Sequence, residues 1–145
     1  MADDFHYRSV VGKTNFLEKS TRPDIAVATH QCARFSSDPK QSHADALQYI
    51  RKYLIGTKNE GIYLDPCHDK SFECWVDADF LGQNIKGAPD MHLDAMTAKS
   101  RTGFLITYAG CLITWGSKLQ REAALSTTES EYMAISESFR SLLPM

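Results

Sequence analysis

In the first third of the chain, apolar positions recur at helical spacing. Val10, Val11, Thr14 and Leu17 stand at i, i+1, i+4 and i+7 and form one helical stripe. Ser20-Thr21-Arg22-Pro23-Asp24 interrupts it. Thr21 with Asp24 fits a helix-start signal, and Pro23 is tolerated in a first turn, where its missing N–H needs no partner. Ile25, Ala28, Cys32 and Phe35 resume the helical period, and Ser36 to Pro39 breaks it. His43, Leu47, Ile50 and Leu54 carry a further helix to Gly56, a natural residue just past a helix end. The pattern predicts three helices.

The period then changes. Gly61 to Leu64 reads as a short strand closed by Asp65-Pro66. From Phe72 to Phe80, Phe72, Cys74, Val76, Ala78 and Phe80 alternate with Glu73, Trp75, Asp77 and Asp79, the period of a strand. Residues 82–101 are polar and read as a long loop. Phe104–Tyr108 and Cys111–Trp115 read as a tight hairpin around Ala109-Gly110. Ser126-Thr127-Thr128-Glu129 is a capping box before a helix with the stripe Tyr132, Ile135, Phe139 and Leu142. The expected class is α+β: a helical segment over residues 1–58, then a three-stranded antiparallel sheet and one helix over 59–145.

Composition narrows the function without naming it. The 43 % hydrophobic and 23 % charged content excludes a disordered or disulfide-stapled chain. A net charge of −2 gives no sign of a strongly basic nucleic-acid binder. The first 68 residues hold nine basic and eight acidic groups, the remainder seven and ten, so the acidic surplus lies in the second half. Cys32, Cys67, Cys74 and Cys111 have no C-x-x-C spacing, and the N-terminus lacks an apolar signal core. They read as reduced, mostly buried thiols of an intracellular, soluble protein. The irregular spacing of Cys67, His68, Cys74 and His30 argues against zinc. No apolar run reaches the ~20 residues of a membrane span.

The acids Asp77 and Asp79 are the candidates for chemistry. At i and i+2 of a strand they share one face, roughly 7 Å apart, while Phe72, Val76 and Phe80 on the other face are expected in the core. A solvated face that does nothing is the plain alternative. Glu131 changes that balance, because it lies at the border of the expected buried face of the last helix, whereas Glu137 falls on its solvent side. A carboxylate from that helix near Asp77 would suit a hard, oxygen-preferring cation such as Mg²⁺. Lys99, Arg101, Lys118 and Arg121 flank the hairpin as candidate phosphate contacts, and the bland reading of each is a solvated surface charge.

Several motifs resemble a known family. Tyr7-Arg8-Ser9-Val10-Val11-Gly12, Thr21-Arg22-Pro23-Asp24-Ile25, Phe35-Ser36 with Pro39 and His43, and Tyr53-Leu54-x-Gly56-Thr57 resemble the thumb or connection segment of copia-type LTR retrotransposon reverse transcriptases. Asp77-Ala78-Asp79-Phe80, Lys99-Ser100-Arg101-Thr102-Gly103, Ile113-Thr114-Trp115-Gly116-Ser117-Lys118-x-Gln120 and Leu125 to Ala134 resemble the ribonuclease H domain of the same Pol polyproteins. The resemblance implies an intact parent that hydrolyses RNA in RNA–DNA hybrids with two Mg²⁺ (or Mn²⁺) ions. Asp77 and Glu131 match two of the family's four acids, and Asp79 is a further candidate ligand. The other two acids belong to later elements. The expectation is therefore a ribonuclease H-like domain truncated before its fourth strand and inactive alone. Its partners in the parent would be a hybrid duplex and the rest of the polyprotein, with no membrane. The alternative is a residual nucleic-acid-binding module or the product of a decayed reading frame.

Overall fold

The described residues of the computed structural model are 6–80 and 99–144. The chain divides into two units, Met1–Tyr63 and Leu64–Met145. In the first, helices α1 (Tyr7–Ser20), α2 (Ala26–Ala33) and α3 (Gln41–Gly56) follow one another, with a 3₁₀ turn at Pro23–Ile25. Their shared core is Tyr7, Val11, Ile25, Cys32, Leu47 and Ile50. The stripe of α1 is rotated from the expected one. Its buried residues are Tyr7, Val11, Thr14 and Glu18, and Leu17 is exposed. Tyr7 enters the core because its hydroxyl donates to Cys32 O at 2.7 Å, which gives a buried phenol its partner. Glu18 lies inside with one carboxylate oxygen 3.7 Å from His30 Nε2.

Asp24 does not cap a helix as its spacing with Thr21 suggested. It accepts from Nε and Nη2 of Arg22, and the same guanidinium donates to the backbone and side-chain oxygens of Thr57. The Arg22 fork thus ties the turn before α2 to the end of α3. His43 starts α3: its Nδ1 accepts from Lys40 N at 3.0 Å, and its ring stacks on Phe35.

In the second unit, β1 (Phe72–Asp79), β2 (Arg101–Tyr108) and β3 (Cys111–Leu119) form an antiparallel sheet in the order β1-β2-β3. The turn between β2 and β3 places Ala109 and Gly110 at φ 51° and 78°. Two successive left-handed residues give the turn a twist that matches the strands. A bulge opposite Ile106 and Thr107, with Ile113 as the extra residue, bends β3 against β2. Residues 61–64 form no strand. The expected loop lies mostly outside the described residues, and its described end, Arg101, belongs to β2.

Helix α4 (Thr127–Leu142) packs on β1 and β2. The reciprocal half of the expected capping box is displaced by one residue: Ser126 Oγ accepts from Glu129 N, but the Glu129 carboxylate accepts from Leu125 N rather than from Ser126 N. The buried face, however, is Ser130, Ala134 and Ser138, while Tyr132, Ile135 and Phe139 are 70 %, 40 % and 48 % exposed. Small side chains let the helix sit close to the sheet, over the fully buried Ile106. The two serine hydroxyls donate to Thr127 O and Ile135 O within the helix, so their burial leaves no orphan donor. Phe72 is also half exposed rather than core, beside Tyr108. Of the four thiols, Cys32 and Cys111 are buried and Cys67 and Cys74 exposed.

Candidate functional site

Two side chains fix how α4 sits on the sheet. Gln120 Nε2 donates to Thr102 Oγ1 and to Ser130 O, and Lys118 Nζ donates to Glu137 at 2.8 Å. Thr102 and Lys118 therefore face the helix. Ala78 pairs with Thr102 and shares that face. Alternation then turns Asp77 and Asp79 to the opposite face, in register with Gly103 and Arg101. Both acids are exposed.

Glu131 is exposed and follows Ser130, so it lies at the same end of the sheet as Asp77 and Asp79. It sits about 120° around the helix from Glu137. Glu137 points to the β3 flank, so Glu131 lies on the β1 flank. Among the described residues β1 pairs with β2 alone, and its outer edge is open. Asp77 and Glu131 thus share one end of the sheet but lie on its two opposite faces. Among the described residues no hydrogen bond or ion pair joins them, and no group of three or more metal-ligating side chains forms. The donors are hard carboxylates suited to Mg²⁺, but the described residues do not assemble a complete ion site.

The four basic candidates separate. Arg101 is only 6 % exposed and donates to Ser117 Oγ, so burial withdraws it from any duplex surface. Lys99 donates to the backbone oxygen of Arg121 and supports the strand end that carries it. Lys118 and Arg121 line a groove of about 320 Å³ between the end of β3 and α4. Glu137, expected in solvent, lies in this groove, where Lys118, Arg140 and Arg121 together hold its carboxyl below the usual range, the hydrogen bond from Lys118 acting most. The sequence signal for it was the i, i+3 pair with Arg140. Nothing local announced Lys118, which reaches Glu137 only through the tertiary fold.

The chain is 36 % identical over 137 residues to the retrovirus-related Pol polyprotein from transposon TNT 1-94 of Nicotiana tabacum, covering 94 % of this chain and 9 % of that protein. It is 36 % identical over 131 residues to the secreted RxLR effector protein 161 of Plasmopara viticola, covering 90 % of this chain and 84 % of the relative. Over more than nine tenths of its length the chain is thus similar to one short stretch of a retrovirus-related transposon Pol polyprotein. A third relative, the Pol polyprotein from transposon RE1 of Arabidopsis thaliana, is 33 % identical over 93 % of this chain and 8 % of its own length. The chain thus spans under a tenth of these two Pol polyproteins. No family model and no solved structure matches it. Among the described residues no helix is long and apolar enough to cross a membrane.

Proposed function

We propose that this chain derives from a transposon Pol polyprotein, as the junction of a copia-type reverse transcriptase and its ribonuclease H domain, and that its second unit is part of a ribonuclease H fold. The observation that carries the reading is the similarity of nearly the whole chain to transposon Pol polyproteins, with Asp77 and Glu131 at one end of the sheet, one on each face. In the intact parent these acids, with Asp79 beside them, would hold Mg²⁺ (or Mn²⁺) against the RNA strand of a hybrid. The ion would supply charge stabilisation at the scissile phosphate. What the chain itself contributes is two or three oxygen donors and a rigid sheet end to carry them.

A two-metal site needs ions about 4 Å apart, which these carboxylates alone do not fix. The purified 145-residue chain is therefore expected to leave a labelled RNA–DNA hybrid uncut in Mg²⁺ or Mn²⁺. The informative assay fuses the chain to the following segment of the Pol protein from transposon TNT 1-94. Cleavage should appear in the fusion and vanish with Asp77→Asn or Glu131→Gln. A fusion that cuts equally well with both acids neutralised would overturn the assignment.

A further inference from the structure

We infer that the groove between the end of β3 and α4 takes a phosphate group, and that Glu137 is a built-in occupant which the phosphate displaces. This rests on the reading of Lys118 and Arg121 as phosphate contacts and adds Arg140 and Glu137 to it.

Three cations converge on one carboxylate. Lys118 Nζ lies 2.8 Å from one Glu137 oxygen, Arg140 Nη1 lies 3.5 Å from the other, and Arg121 lines the same groove. Glu122 is the second acid in the lining, so positive charge exceeds negative there, in a protein of net charge −2. The floor is built rather than superficial. Thr102 and Gln120 line it at 3 % and 6 % exposure, and among the described residues Gln120 Oε1 is buried with no hydrogen-bond partner. The amide cannot turn to relieve this, since its nitrogen already donates to Thr102 Oγ1 and Ser130 O. The oxygens of a phosphate suit the surrounding cations.

A phosphate entering the groove must take Lys118 and Arg140 from Glu137. The internal carboxylate therefore weakens anion binding, and removing its charge should strengthen it. A merely structural ion pair would respond the other way, since its loss loosens α4.

The test titrates the full chain in EDTA with inorganic phosphate in one arm and a short RNA–DNA hybrid in the other, followed by amide shifts of Lys118, Gln120 and Arg121. Glu137→Gln is expected to tighten phosphate binding roughly one-and-a-half- to fivefold, the range partly exposed ion pairs supply. Arg121→Gln should weaken it and keep the wild-type thermal midpoint. Equal or weaker phosphate binding by Glu137→Gln, with the fold intact, overturns the inference. So do shifts confined to residues outside the groove. Tightening in both arms marks a nucleic-acid backbone as the source of the phosphate. Tightening with inorganic phosphate alone keeps the groove and removes the hybrid contact from the functional reading. A nuclease assignment that fails in the fusion assay leaves this titration untouched.

Discussion

Tyr7 shows how one side chain links the first helix to the second. Its ring fills the core and its hydroxyl donates to the Cys32 carbonyl, while burial first and the neighbouring Cys32 side chain after it push its pKa up to about 12. An unfolded chain ionises tyrosine near 10. The raised folded value means the stabilisation is complete below about pH 10 and is lost as pH rises through about 12. Tyr7→Phe should cost about 1 kcal/mol at neutral pH, the usual net worth of such a bond. The wild type should lose this advantage over the variant between about pH 10 and 12. Urea midpoints of the pair across that range check both statements. A difference that stays constant to the top of the range would mean the phenol is not ionised at the expense of folding.

At the scale of elements, α4 is where the pattern of the sequence and the packing part company. The Ser126 N-cap, the helix and the hairpin turn were legible, because each depends on residues within a few positions of one another. The buried face was not. Tyr132, Ile135 and Phe139 make the better apolar stripe, yet the helix lies down on Ser130, Ala134 and Ser138. Gln120 and Lys118, distant in sequence, hold that rotation through Ser130 O and Glu137. The same distance hid the groove cations, while Asp77 and Glu131 stood out from local period and wheel position alone. Ala134→Leu should therefore cost about 1–3 kcal/mol by overpacking, whereas Tyr132→Ser should stay within about 0.5 kcal/mol. Thermal melts separate the two, since about 1 kcal/mol moves the midpoint of a small domain by about 4–8 °C. A larger loss from Tyr132→Ser would place the apolar stripe, rather than the small-residue face, against the sheet.

Across the whole molecule there are two separate apolar centres, the helical one around Leu47 and the sheet one around Ile106. Leu47→Ala removes a fully buried side chain from the first only, at a cost of about 2–5 kcal/mol. Scanning calorimetry should show one transition lowered and a second unmoved. A single transition that shifts as a whole would mean the halves unfold cooperatively. The margin of β1, bare among the described residues, has a consequence for how any such sample behaves. Unpaired amides and carbonyls along a strand invite a neighbouring copy to zip on, and proteins commonly deter this with charge. Asp77 and Asp79 supply that charge here, whatever else they hold. A preparation in which they are neutralised is prone to clump, so light scattering has to show a dispersed sample before lost cleavage is ascribed to a lost ion.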